Sequence, residues 1–149
     1  MLNLWNIRCR WMVVAILASL LLASSSEATS SDDPLTGLPV YPGISNPSTL
    51  PRSTFCGKGM QHDFYIVMGN KIDAVTSWYT RHLGGFHKYH AVTDGRSQDT
   101  FFSPDGTREV TITGSKAGSE VYSISYGRFD FGLSSREMSS FNQAKSTCN

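Results

Sequence analysis

Phe64-Tyr65-Ile66-Val67-Met68-Gly69-Asn70 runs directly into residues 71–83 and halts at Gly84-Gly85, and this stretch decides the fold. Its opening is rich in aromatic and β-branched residues, the composition of a half-buried strand. Gly69-Asn70 ends that strand. The apolar period then changes: Ile72, Val75, Tyr79 and Leu83 recur at helical spacing, with Trp78 flanking the stripe. Asn70 reads as the helix N-cap, with Asp73 placed near the positive end of the helix. Glycine reaches the left-handed conformation without steric cost, so Gly84-Gly85 closes the helix.

Downstream, strands and turns follow. Residues 86–92 form an expected strand, and Asp94-Gly95 and Ser103-Pro104-Asp105-Gly106 are turn sequences. Residues 99–103 and 108–113 flank the second turn as a hairpin, with Val110 and Ile112 alternating with Glu109, Thr111 and Thr113. Residues 114–119 make a loop of small residues. In the strand expected over 121–126, Tyr122, Ile124 and Tyr126 share one face, and Ser123 and Ser125 the other. Ser134-Ser135-Arg136-Glu137 fits a capping box. The short helix behind it would turn Met138, Phe141 and Ala144 inward and end near Cys148. The order β-α-β-β-β(-β) plus this C-terminal helix predicts an α+β domain. Its single antiparallel sheet has four to five strands, with helix 71–83 on one face.

Upstream, Arg8 and Arg10 precede a nearly uninterrupted apolar run from Trp11 to Ala23, and Ser26-Glu27-Ala28 supplies small residues at a cleavage position. This is the layout of a secretory signal peptide over residues 1–28. The apolar run is too short for the ~20 residues of a membrane-crossing helix, so no stable membrane insertion is expected after cleavage. Residues 29–54 hold five of the six prolines, at 34, 39, 42, 47 and 51, and read as a Pro/Ser-rich lead-in or tether. Within it, residues 38–43 are apolar enough to lie extended along the domain surface. The α+β domain occupies 55–149.

The chain carries 13 Lys+Arg and 12 Asp+Glu; removing Arg8, Arg10 and Glu27 with the signal leaves 11 of each. Scattered, balanced charge offers no electrostatic footprint for nucleic acid. Cys9 also leaves with the signal, so Cys56 and Cys148 remain. An even count in an exported chain predicts a disulfide, worth up to about 4–5 kcal/mol for so long a loop in the chain-entropy model.

Four histidines, at 62, 82, 87 and 90, invite a metal reading. On a strand, His87 and His90 point to opposite faces, which argues against that pair. Asp94, Asp99 and Asp105 stand in or beside turns, where aspartate bonds the local backbone. Gly114-Ser115-Lys116-Ala117-Gly118-Ser119 lacks the order of a phosphate-binding loop. No Gly-x-Ser-x-Gly elbow occurs, so no catalytic set is assigned and no cofactor is expected. Tyr122, Tyr126 and Trp78 are the candidate binding surface, since exposed tyrosine and tryptophan suit recognition.

Two resemblances emerge. Pro39-Val40-Tyr41-Pro42-Gly43 with the Trp-Tyr-x-x-x-Leu run from Trp78 to Leu83 resembles a group of small exported bacterial proteins of unassigned function. Residues 75–86 and the strand-helix-strands order resemble one module of the vicinal oxygen chelate (glyoxalase and bleomycin-resistance) superfamily. That resemblance makes His62 a metal-ligand candidate and implies a metal-dependent enzyme acting as a dimer. It departs from the superfamily in offering one module, no glutamate well inside the last strand (Glu120 is at its start), and Gly69-Asn70 where an aspartate is common. The expectation is therefore a non-catalytic exported domain, periplasmic or secreted. It would bind a protein or small-molecule ligand or serve an accessory role in the cell envelope; the chelate-type enzyme is the alternative.

Overall fold

A computed structural model describes residues 31–67, 69–116, 118–143 and 148. The signal peptide over 1–28, the Met68 end of the first long strand and the inward Ala144 lie outside the described residues. Among the described residues, nine elements follow in order: β1 (Ser48–Thr49), β2 (Ser53–Phe55), β3 (Lys58–Ile66), α1 (Ile72–His82), β4 (His87–Thr93), β5 (Arg96–Phe102), β6 (Arg108–Gly114), β7 (Val121–Phe129) and α2 (Ser135–Ser140). The strands form one seven-stranded sheet in the order β1-β3-β7-β6-β5-β4, with β2 also paired to β3, and every pairing is antiparallel.

The α+β class holds, but four to five strands become seven. The two additional strands, β1 and β2, are two and three residues long and share the outer edge of β3. Segments this short carry no readable alternation. After β3 the chain crosses the sheet through α1 to the far edge. There β4 begins a meander that returns through β5 and β6 to β7, which pairs with β3. The β4–β5 turn is Asp94-Gly95 with φ of 52° and 71°. Positive φ at both central residues matches the twist of the flanking strands in a two-residue hairpin.

The helical stripe behaves as its spacing dictates. Val75, Tyr79 and Leu83 are buried against Tyr65, Phe101, Val110, Ile112, Ile124 and Tyr126, with Ile72 and Trp78 packed at the margin. The N-cap, however, is Lys71, without a side-chain cap bond, instead of Asn70. The preceding chain pairs with the loop before β7. Val121 N–H donates to Asn70 O at 2.7 Å, and Ile72 N–H donates to Ser119 O at 2.7 Å. The loop thus supplies an acceptor for the first of the helix amides that have no partner within the helix.

Leu38 and Val40, at 4 % and 3 % exposure, sit in this core instead of along the surface. The Tyr41 amide donates to Tyr79 Oη at 3.1 Å, and Tyr126 Oη donates to the Pro39 carbonyl at 3.2 Å. Tyr65 Oη donates to buried Asp33 at 2.9 Å. Burial, first of all, pushes all three phenols well above their ordinary range, so they stay neutral hydroxyls. A second cluster (Phe102, Phe129, Leu133 and Met138) lies under α2, whose capping box is formed as its sequence dictates. Cys56 and Cys148 are joined in a disulfide across 92 residues of sequence, tying the β2–β3 turn to the end of the chain.

Candidate functional site

Alternation along the strands gives the sheet a second face, away from α1. Its residues fall into rows that the pairing fixes. One row reads His62, Gly127, Glu109, Phe102, His87 across β3, β7, β6, β5 and β4; the next reads Phe64, Ser125, Thr111, Thr100, Tyr89; the third reads Ile66, Ser123, Thr113, Gln98, Ala91. α2 and residues 141–143 lie over part of this face. Over the remainder opens a cleft of about 260 Å³, with Leu50, Phe64 and Phe141 among its walls and Gln98, Thr113 and Ser123 in its floor.

The first row holds the chemistry. His62 and Glu109 stand two strands apart, roughly 9–10 Å between backbones at ordinary strand spacing. They meet because the residue between them is Gly127. A Cβ at that position would lie 2.5 Å from Glu109 Oε1 and 2.6 Å from His62 Nε2. With no side chain in the way, His62 Nε2 approaches Glu109 Oε1 to 2.9 Å. Glu109 is fully buried, and among the described residues this oxygen accepts no well-aligned hydrogen bond, so the ion-pair approach of the imidazole is what compensates it. Burial acts against the charge on His62. The hydrogen bond and negative charge of Glu109 outweigh it and hold the histidine pKa above its ordinary value.

The other carboxylate oxygen ends a relay. Asn142 Nδ2 donates to Thr100 Oγ1 at 2.6 Å, Thr100 and Thr111 hydroxyls meet at 2.9 Å, and Thr111 Oγ1 donates to Glu109 Oε2 at 2.7 Å. Because Thr111 gives its proton to Glu109, Thr100 must give its own to Thr111. Donation therefore runs one way, from the chain beyond α2 through β5 and β6 onto one carboxylate.

A second ion pair fixes α2 over this face. Lys58 Nζ lies 2.7 Å from Glu137 Oε2, which also accepts the Ser134 amide at 2.7 Å. Lys58 and the Ser134 amide lower the Glu137 carboxyl to about 2. Phe141, just past the helix, meets Phe55, Phe102 and Phe129 edge-on with centroids 5.0, 5.4 and 5.7 Å away, and its ring is 6.3 Å from that of His62. These contacts make Phe141 a fixed wall of the cleft.

The structure does not assemble Tyr122, Tyr126 and Trp78 into one surface. Tyr126 is fully buried, because its position in β7 lies beneath α1 and the lead-in. Tyr122 is 44 % exposed with the Arg96 guanidinium over its ring. Trp78 is half-buried, wedged edge-on against Tyr41 and Tyr79 and stacked on His82. Asp94 and Asp105 are turn residues; the Ser103 hydroxyl and Thr107 amide hold the Asp105 carboxyl at about 2. Asp99 is not a turn residue. The two-residue Asp94-Gly95 loop lets β5 start at Arg96, which carries Asp99 into the strand and against α1. There it accepts from Thr76 at 3.0 Å and pairs with His90 at 2.8 Å. Burial raises its pKa, but His90, Thr76 and Lys88 together bring it below the ordinary value.

His62 alone among the candidate residues reaches the cleft. Its partner Glu109, the spacer Gly127, and Gln98 and Asn142 are not singled out by sequence pattern. The one available signal was the alternation of Glu109 with Val110 and Ile112, which sets its face but not its partner. Among the described residues, no group of three or more His, Cys, Asp or Glu side chains is disposed to hold a metal ion. Compared with models of known protein families, with curated proteins and with solved structures, the chain matches none.

Proposed function

We propose that this protein is an exported, non-catalytic binding domain of the cell envelope whose ligand site is the half-covered sheet face. The observation that carries this reading is the cleft itself. It is a concave opening of about 260 Å³ with aromatic walls and a floor of hydroxyl and amide groups. Ligand sites combine such apolar walls with a few placed polar groups. The His62–Glu109 pair and its relay lie beneath the cleft as a fixed support, each side chain already engaged by its neighbour. The Cys56–Cys148 disulfide supports the exported setting, where such bonds persist.

A thermal-shift screen of the purified protein against small polar compounds tests the reading. A binder is expected to raise Tm in proportion to the logarithm of its concentration. The rise should shrink in a Phe141→Ala variant of confirmed fold. A reproducible turnover that disappears with His62→Gln would overturn the non-catalytic assignment.

The chelate-type enzyme is a second reading, favoured by one observation. His62 Nε2 and Glu109 Oε1 place two ligand atoms 2.9 Å apart on the open face, a span two metal bonds of ~2.0–2.2 Å can bridge. A second copy would have to complete the ligand set. Metal-free protein, purified without chelator and monomeric by mass, ends this reading.

A further inference from the structure

The floor of the cleft is unusual in what it leaves unpaired. Among the described residues, the Gln98 side chain has no hydrogen-bond partner, and its Oε1 is buried. Thr113 and Ser123, beside it in the same row, also carry side chains without a partner among those residues, and Ser123 is 3 % exposed. Buried polar atoms in folded proteins are almost always satisfied, so the buried Gln98 Oε1, flanked by two hydroxyls that line the cleft without a partner among the described residues, calls for a ligand that completes the row. Resting on the reading of this cleft as the ligand site, we propose that it takes an uncharged, polyhydroxylated ring of monosaccharide size. Its hydroxyls would pair with Gln98, Thr113 and Ser123, and its C–H face would lie against Phe141 and Phe64.

Three features select this class. The first is charge. Among the described residues, the only ionisable side chain lining the cleft is His62, and it is already paired with Glu109. A charged ligand group would leave water without finding a counter-ion. The second is hydrogen-bond character. A carboxamide offers both an acceptor and donors, and serine and threonine hydroxyls do the same, so their complement is a group that also does both. A ring bearing several hydroxyls provides this; an apolar ligand would bury the three side chains unpaired and be opposed by each. The third is size. About 260 Å³ falls just below the roughly 300–1,000 Å³ of sites for drug-sized molecules, which leaves room for one ring.

The experiment is a set of amide and side-chain NH2 chemical-shift titrations of ¹⁵N-labelled protein. The probes are methyl glucoside and methyl galactoside (neutral), glucuronate (the same ring with a carboxylate), and cyclohexanol (a ring of similar size with one hydroxyl). A neutral glycoside is expected to move the Gln98 NH2 signal and the amides of Thr113 and Ser123. It should bind at least ~10-fold tighter than glucuronate or cyclohexanol. Gln98→Leu should weaken it ~10-fold with the spectrum otherwise preserved. Should that variant not fold, Thr113→Ala should weaken it by several-fold. If glucuronate or cyclohexanol moves these signals and the glycosides do not, the ligand class is wrong while the cleft remains a binding site. If none of the probes moves any cleft signal, and the thermal-shift screen also yields no binder, the site reading falls and takes this proposal with it. Binding of the glycosides with no loss in either variant also overturns the proposal.

Discussion

The two faces of this sheet are made by the same strands, residue by residue in alternation, and they solve different problems. Toward α1, Val110, Ile112 and Ile124 are fully buried among Tyr65, Tyr79 and Tyr126, and the lead-in adds Leu38 and Val40. Toward α2, Glu109, Thr111 and Ser123 are also buried, but polar. The first face is closed mainly by apolar packing, with the tyrosine hydroxyls bonded to the lead-in within it. The second combines the smaller apolar cluster under α2 with directional bonds converging on one carboxylate, and beside Phe141 it opens into the cleft. Burial alone therefore does not mark the core. Adjacent residues with equal burial differ in whether packing or pairing stabilises them.

The sharpest way to break this comparison is to remove its central polar group. Glu109→Ala leaves His62 partly buried beside no carboxylate and deprives Thr111 of its acceptor. Removing one partner of a buried pair typically costs about 3–5 kcal/mol. Urea unfolding should show a loss of that order. If the loss stays below that of an ordinary surface change, the pair is not the support described above.

A smaller effect separates the faces by pH. The folded-state pKa of His62 is raised by Glu109. A group raised on folding contributes stability in full below its ordinary value, ~6.5 for histidine. That contribution is lost as pH rises through the raised folded value. Wild-type stability should therefore fall as pH rises from about 6.5 through that raised value, by an amount that His62→Gln does not show. Parallel pH profiles for the two proteins would remove His62–Glu109 as an ionic pair.

What could be read in the sequence follows the same division. α1 was legible because Val75, Tyr79 and Leu83 mark one side of a helix by spacing alone. The capping box at Ser134 and Glu137 and the Asp94-Gly95 turn were legible because their chemistry is local. The Cys56–Cys148 pair followed from counting cysteines in a chain read as exported. The open face was not legible, because His62 and Glu109 are 47 positions apart and meet only through the register of three strands and a missing side chain at Gly127. Asp99 was misread for a related reason: its role depends on where β5 begins, one residue after a two-residue turn. Tyr126 shares a strand face with Tyr122, as the alternation required, yet one is buried and the other exposed. Period two sets the face of a side chain, and only the layer above decides its burial.

The smallest and most discriminating test uses two consecutive residues. Ile112 and Thr113 are neighbours in β6 with side chains on opposite faces. Ile112→Val removes one methyl group from the closed face, where neighbours cannot fully collapse, and should cost about 0.5–1.5 kcal/mol. Thr113→Ala removes a hydroxyl and a methyl from the open face. That hydroxyl has no partner among the described residues, so stability should change by no more than about 0.5 kcal/mol. The larger deletion is thus expected to have the smaller effect, the reverse of what atom counting predicts. Equal losses in denaturant midpoint at unchanged m-value would mean that the floor of the cleft is packed as tightly as the core. The open face would then be a second closed layer, with no room for a ligand.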